Sequence, residues 1–335
     1  MMTSLSNRIA RSAIVLLLAA SSAAVTAEEM ISEAVEIVRT GIAHDALYAL
    51  DMSGEKGIAV GNFGLILETK DSGATWTKTK PFTDQALLGI ASAGDRQVIV
   101  GQAGTFITRV GDGDWEILPN DIGLRLLNVD LDESGLVVAV GEFGAIQRSR
   151  DNGKTWDEIV IDWSQYNDEG YEPHLYDVVV KDANTVVVIG EFGLILWSED
   201  GGDTFVARHQ GEKSLFAIQL DSDGTGTGYA VGQEGEVLRS QDAGLTWQKL
   251  ETGSTANLLG VWSGQGEVVV VGIRELLRSS DDGETWKRAD DIKIVRTWYQ
   301  GVDAAVAEIE APNGFLRTQV VYVAGYNATI SRILE

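Results

Sequence analysis

Two sets of acidic residues in this chain are of types that could do chemistry. Glu142 and Glu191 each follow a glycine in the same tetrapeptide, GEFG. A pair of carboxyl groups is what acid/base hydrolysis of a glycoside requires. A second set consists of aspartates at regular intervals, which could ligate calcium. The three histidines lack the spacing of metal ligands and there is no cysteine, so we expect no metal site and no cofactor.

The aspartates belong to an octapeptide that the chain repeats. Thr69–Trp76 reads TKDSGATW, Ser149–Trp156 reads SRDNGKTW, and three more copies begin at Ser198, Ser240 and Ser279. The Asp and Ser or Thr side chains can bond the backbone of such a turn, and glycine accepts its positive φ. We therefore predict that the repeat, called here the box, is a hairpin turn whose aromatic packs between neighbouring sheets. The predicted structural residues are Asp71, Gly73, Trp76, Asp151, Gly153, Trp156, Asp200, Gly202, Phe205, Asp242, Gly244, Trp247, Asp281, Gly283 and Trp286.

A short hydrophobic run ending in glycine precedes each box, and it recurs seven times. The glycines are 40 to 53 residues apart: Gly61, Gly101, Gly141, Gly190, Gly232, Gly272 and Gly325. This period is typical of a β-propeller blade of four antiparallel strands. The second unit keeps only a degenerate turn at Val110–Trp115, and the seventh has none. We predict an all-β, seven-bladed propeller in which Glu33–Thr40 supplies the outer strand of the last blade and closes the ring.

The N-terminus is typical of a secretory signal. Arg8 and Arg11 precede the apolar stretch Ala13–Val25, and small residues lead up to Ala27. We predict residues 1–27 to be a signal peptide and residues 28–335 to be one propeller domain, exported to the periplasm and not inserted in the membrane after cleavage. An uncleaved anchor is the alternative. Without cysteine, the fold is held without disulfides.

Cleavage would leave 24 basic and 50 acidic residues, a net charge of −26. Such a charge repels nucleic acid and anionic lipid, and it favours solubility or a basic partner. It is equally consistent with adaptation to a salty habitat. We expect a monomer.

The box resembles the Asp-box, or BNR, repeat. Together with the GNFG, GEFG and GQEG pieces in one ring of WD40/YVTN-like architecture, it resembles the photosystem II assembly/stability factor family, and we predict a bacterial relative. The resemblance covers residues 46–335 and implies a non-enzymatic scaffold that binds a membrane-protein complex through one face, in the thylakoid lumen if the source is photosynthetic. It also implies an arginine patch, for which the candidates are Arg148, Arg239, Arg278 and Arg332. Salt bridges between blades are the alternative role for these arginines.

Insertions indicate the working end of the ring, because loops carry function on a rigid scaffold. Two stand out, Ile161–His174 and Arg288–Thr318. We place the first, and the beginning of the second, at the end where the blades connect, together with the turns between second and third strands. Exposed aromatics there suit a protein partner. The predicted binding residues are Trp163, Tyr166, Tyr171, His174, Phe63, Phe143, Phe192 and Arg274. Alternatively, the three phenylalanines pack between neighbouring turns.

Enzymes with the same repeat are the alternative class. A sialidase-like hydrolase has six blades and usually an arginine-isoleucine-proline motif, which this chain lacks. A xyloglucanase-like enzyme pairs two propellers around a cleft. Since Glu142 and Glu191 both arise from a repeated tetrapeptide, repetition explains them more simply than catalysis. We predict no enzyme activity, with a propeller that binds a glycan or a peptide in its central channel as the third reading.

Overall fold

The computed structural model describes residues 30–81, 83–119, 122–167, 170–220, 224–311 and 314–334. For residues 307–311 and 314–317 it describes the backbone only. The predicted signal segment, residues 1–27, lies outside the described residues. Among those described, no helix has the length and apolar character to cross a membrane.

The described chain forms a ring of seven antiparallel sheets, the blades, which confirms the predicted seven-bladed propeller. Two short N-terminal strands come first: β1 (Met30–Ile31) and β2 (Val35–Arg39). Blade 1 contains β3 (Leu47–Ser53), β4 (Lys56–Gly61), β5 (Ile66–Thr69) and β6 (Thr77–Lys78). Blade 2 contains β7 (Leu87–Ala93), β8 (Arg96–Gly101), β9 (Phe106–Val110) and β10 (Glu116–Leu118). Blade 3 contains β11 (Leu126–Leu131), β12 (Val137–Gly141), β13 (Ile146–Ser149) and β14 (Asp157–Glu158).

The remaining blades follow the same order, from the innermost strand outward. Blade 4 contains β15 (Leu175–Val180), β16 (Val186–Gly190), β17 (Ile195–Ser198) and β18 (Val206–His209). Blade 5 contains β19 (Leu215–Leu220), β20 (Gly228–Gly232), β21 (Val237–Ser240) and β22 (Gln248–Lys249). Blade 6 contains β23 (Leu258–Gly264), β24 (Glu267–Gly272), β25 (Glu275–Ser279) and β26 (Lys287–Ala289), and β1 adds to it in parallel. After the short helix α1 (Ile292–Val295), blade 7 contains β27 (Tyr299–Ala311), β28 (Gly314–Gly325) and β29 (Ile330–Ile333).

The N-terminal strand completes blade 7. β2 pairs antiparallel with β29, with Val35 opposite Ile333 and Ile37 opposite Ser331. The predicted ring closure by Glu33–Thr40 is therefore confirmed. Closure matters because an open array would present a row of unpaired backbone groups at each end.

The hydrophobic core lies in the seams between blades. Seven clusters of buried side chains each join two neighbouring blades, such as Leu136 and Val138 of blade 3 with Val186 and Val188 of blade 4. Valine and isoleucine dominate the second strands because both faces of these strands are covered. The glycine that ends each second strand lies against the chain entering the blade. A Cβ at Gly61 would collide with the carbonyl oxygen of Ala46, and the equivalent glycines meet equivalent carbonyls.

The second predicted insertion, Arg288–Thr318, is only partly a loop. Its beginning lies at the end where blades connect, since the Arg274 N–H donates to the Thr297 carbonyl (2.9 Å). From Tyr299 onward it is a long hairpin, β27 and β28. This hairpin extends at the box end of the ring, where Ser72 Oγ donates to the Val306 carbonyl (3.0 Å). These strands were not predicted as a hairpin, although the Asn313-Gly314 dipeptide at their junction is a typical signal for a hairpin turn.

Candidate functional site

The box turns are built as predicted, with their bonds inside one hairpin. Asp151 accepts from the Thr155 N–H (2.9 Å) and from its hydroxyl (2.7 Å), and Ser149 Oγ accepts from the Gly153 N–H (2.8 Å). These bonds hold the pKa of Asp151 down at about 2. The indole N–H of Trp156 donates to the Gly153 carbonyl (2.9 Å). Both oxygens of the carboxylate thus accept hydrogen bonds from the turn, which supports the structural interpretation of the box.

Each box also packs into the seam between its own blade and the preceding blade. The Trp156 ring lies 4.1 Å from the Phe106 ring of blade 2. A Cβ added at Gly73 would lie 2.6 Å from the ring of Tyr322 in blade 7, and one at Gly244 2.9 Å from Trp197 in blade 4. The box is therefore both a turn and a joint between blades.

The predicted arginine patch is not a free cationic surface. Arg148 is buried and donates to the Gly201 carbonyl (3.1 Å) and to Asp203 (2.6 Å), both in the box of the next blade. Arg239 is buried in the same way between Asp282 and Glu284.

The other two arginines of that set are also paired. Arg278 binds Glu267 (2.5 Å) and the Leu334 carbonyl (2.7 Å), and Arg332 binds Glu36 (2.7 Å). The alternative, that these residues tie blades together, is confirmed for Arg148 and Arg239. Arg332 links two strands of one blade.

The face where blades connect, called here the connection face, exposes three large aromatics. Phe63, Phe143 and Phe192 occupy the same position of the turn between second and third strands, and they are 65%, 55% and 36% exposed. All three have positive φ, between 52° and 58°. Arg274 occupies the equivalent position of blade 6, with φ of 60°. The left-handed region is unfavourable for large side chains, and Phe63 and Phe143 adopt it with more than half of the side chain exposed.

The loop Ile161–His174 behaves differently from its prediction. Trp163 is 7% exposed and packs in the seam between blades 3 and 4, so the expectation that its indole is exposed was wrong. It lies over Gly144, where a Cβ would meet its Nε1 at 2.5 Å. Tyr166 is also partly buried, and its hydroxyl donates to the Phe205 carbonyl (3.0 Å). Only Tyr171, 62% exposed, is displayed as predicted.

His174 connects this loop to the phenylalanine turn. Its Nδ1 accepts from the Phe143 N–H (3.1 Å), and its ring meets the Phe143 ring edge-on at 5.0 Å. Further edge-on contacts join His174 to Tyr176 (6.4 Å) and Tyr176 to Phe216 (5.0 Å). A continuous row of aromatic rings therefore runs from the exposed turn to the central channel.

The proposed acid/base pair is occupied by structural partners. Glu142 forms an ion pair with Arg125 (2.9 Å). Glu191 accepts from the His174 N–H (2.9 Å) and lies beside Tyr176, whose pKa is raised to about 12 by burial and by this carboxylate. Each glutamate thus has a structural partner. No cluster of three or more metal-binding side chains occurs in the described ranges.

Four acids in the central channel were missed by the sequence analysis. Asp51, Asp130, Asp177 and Asp303 lie on innermost strands and line a chamber of about 270 Å³. Burial raises the pKa of Asp51 to about 6 and those of Asp130, Asp177 and Asp303 to about 7. Aligning the innermost strands would have revealed the pattern, since aspartate is the fifth residue of β3, β11 and β27.

The channel acids join neighbouring blades at the axis. Asp130 accepts from the Val180 N–H (2.7 Å), Asp177 from the Ile218 N–H (2.8 Å) and Asp303 from the Met52 N–H (2.6 Å). Each bond runs from one innermost strand to another. A free backbone N–H at such an edge would otherwise be unsatisfied.

Comparison with solved structures identifies the same architecture. YCF48 bound to a D1 peptide is similar over 92% of this chain and 100% of that chain, with a TM-score of 0.69 and 18% identity. YCF48 from Cyanidioschyzon merolae is similar over 90% of this chain and 98% of that chain, with a TM-score of 0.67 and 20% identity. The WD40 β-propeller domain of Doa1 is similar over 90% of this chain and 97% of that chain, with a TM-score of 0.66 and 12% identity. At such identities the likeness shows the fold, and it confirms the resemblance to a photosystem II assembly factor at that level.

No protein-family model matches the chain. No curated protein matches it either.

Proposed function

We propose that this protein is a non-catalytic, exported scaffold that holds a protein partner, a membrane-associated complex, through its connection face. The observation that carries the proposal is the set of exposed phenylalanines with positive φ. A non-glycine residue in that region costs on the order of 1 kcal/mol, and Phe63 and Phe143 recover little of it by burial. Packing between neighbouring turns does not account for side chains that are more than half exposed.

The comparisons support this choice of function. One solved neighbour of the same fold is a YCF48 propeller bound to a D1 peptide, which is a protein ligand. The connection face adds Tyr171 to the three phenylalanines, and aromatic side chains are enriched among residues that dominate binding energy. The glutamates considered for hydrolysis are held in structural contacts. A peptide-binding scaffold therefore fits this surface better than a hydrolase.

The test replaces the aromatics without disturbing the turns. Asparagine tolerates positive φ, so Phe63→Asn, Phe143→Asn and Phe192→Asn together should leave the melting temperature unchanged or slightly raised. We expect the triple variant to retain at least about tenfold less partner than the wild type in pull-downs from native membranes, a loss of about 1.4 kcal/mol. Glu234→Asn is the matched control, because Glu234 occupies the same position in blade 5 with φ of 53°. Equal capture by the triple variant and the control would refute the proposal.

The export part of the proposal has its own test. Intact-mass measurement of protein recovered from the periplasm should give a chain that begins at Glu28. Protein that keeps residues 1–27, or that is found only in the cytoplasm, would contradict it.

A further inference from the structure

The central channel opens at the connection face through a ring of seven side chains, called here the collar. Each is the second residue of an innermost strand, and all are partly exposed. The collar consists of Tyr48, Leu88, Leu127, Tyr176, Phe216, Leu259 and Gln300. Outside it lies a cavity of about 400 Å³, and inside it lies the chamber of the four aspartates. Both spaces are lined by these seven residues, so the collar is the passage between them.

The chamber holds carboxyl groups without counter-ions. None of the residues that line it is a lysine, arginine or histidine. Asp177 is only 9% exposed, and its hydrogen bonds come from neutral donors, the amide of Asn128 and the N–H groups of Val178 and Ile218. A buried carboxyl group either meets a cation or becomes neutral through a raised pKa, and a cation that enters the chamber would favour the ionised form. Among the described residues that line the outer cavity, the one cationic side chain, Arg125, is already paired with Glu142.

We infer that the channel takes one lysine or arginine side chain of the segment that docks on the connection face. The apolar collar would surround the methylene stem, and the charged head would reach the chamber acids. Long basic side chains bury their stems along apolar surface in this way. The inference rests on the proposed function and adds to it the chemistry of the partner, a segment with a basic anchor among apolar residues.

Two observations favour a cation carried on a stem over a bare ion. The collar is apolar in six of its seven positions counting tyrosine rings, which offers nothing to a hydrated ion. Nor are any three acidic groups of the described chain placed to hold a metal ion together. The acids are instead spread around the axis on four innermost strands. This arrangement suits a single charge that its own side chain holds on the axis.

The test compares two capped pentapeptides that differ in one charge. Both have the sequence Ser-Leu-X-Leu-Ser, with X lysine in one and norleucine, the stem without the ammonium group, in the other. Binding to the full mature chain is followed at pH 7 by NMR, from the methyl signals of Leu88, Leu127 and Leu259. We expect the lysine peptide to shift these signals and to bind at least about tenfold more tightly, a difference of about 1.4 kcal/mol.

One charge-removing variant leaves the bonds between strands in place. Asp51 accepts a hydrogen bond from the Ser92 hydroxyl, and an asparagine can pair with that hydroxyl as donor or acceptor. Asp51→Asn should therefore keep the fold and reduce the preference for lysine to less than about threefold. Glu55→Gln, at an exposed acid outside the channel, should leave the preference unchanged.

The outcomes separate this inference from the proposed function. Equal binding of the two peptides, no binding of either, or an unchanged preference in Asp51→Asn would overturn the lysine anchor. Displacement of the lysine peptide by calcium chloride, beyond the effect of sodium chloride at equal ionic strength, would make the chamber an inorganic-cation site and overturn it as well. If the anchor fails while the triple phenylalanine variant still loses its partner, the scaffold proposal stands alone.

Discussion

The box aspartates and the channel aspartates place the same side chain in opposite settings. Asp151 and Asp200 lie at the exposed end of the ring and bond donors of their own turn, which holds their pKa values at about 2. Asp130 and Asp177 lie at the axis and bond backbone groups of the next blade. There burial dominates and raises their pKa values to about 7. The difference shows that the number of hydrogen bonds does not fix the charge of an aspartate, because desolvation can outweigh several of them.

The largest effect expected from this comparison is on the pH dependence of stability. The folded chain holds protons on the channel acids that the unfolded chain has released above about pH 4, so their contribution to stability is lost as pH rises toward 7. The box acids act in the other direction and lose their contribution as pH falls from 4 to 2. We expect maximum stability near pH 4 to 5, and a decrease of at least about 3 kcal/mol in the free energy of unfolding between pH 5 and pH 8. Urea titrations across this range would measure it.

General repulsion among the excess acidic charges would give a decrease of the same sign. It is screened by salt, whereas buried groups are screened much less. Repeating the titrations in about 0.5 M sodium chloride separates the two. A decrease that disappears in salt would contradict the role given to the channel acids.

A smaller effect is expected when one aspartate of each kind is removed. At pH 5, Asp177→Ala would leave the Ile218 and Val178 N–H groups and the Asn128 amide without their acceptor at the axis. We expect a loss of about 3 kcal/mol, since an unsatisfied buried group costs about 1–3 kcal/mol. Asp151→Ala exposes its donors to water and should cost only about 1 kcal/mol. Equal losses in urea denaturation would show that the two kinds of aspartate do not differ as described.

The smallest effect concerns the link from a box to the blade before it. Arg148 and Arg150 both bind Asp203, the first from a buried position and the second from an exposed one. Arg148→Met should lower the free energy of unfolding by about 1–2 kcal/mol, because a charge-assisted bond in the seam is lost. Arg150→Met is the matched control, with an expected change below about 0.5 kcal/mol. A larger loss of stability in Arg150→Met than in Arg148→Met would show that the exposed ion pair, and not the buried one, joins the blades.

The repeated parts of the molecule were predictable from sequence, and the parts that do not repeat were not. The box and the outer strand at Glu33–Thr40 were predicted because a period of blades requires them. Trp163 was misplaced because a single aromatic in a non-repeating loop carries no sign of what covers it, here Gly144. The hairpin of β27 and β28 was missed because it lengthens the first two strands of the last blade, and no other blade repeats that lengthening. The channel acids become apparent only when the innermost strands are aligned, because each is a single aspartate on a different strand.

Pairing of β2 with β29 has a consequence for how the molecule forms. Val35 and Ile333 meet although almost the whole chain separates them, and contacts of such high order are slow to form because the entropy of closing a long loop must be lost first. During synthesis β2 therefore emerges long before β29, the strand with which it pairs. Until they meet, the nascent protein has two exposed sheet edges, and unpaired edges of this kind are sites where chains aggregate.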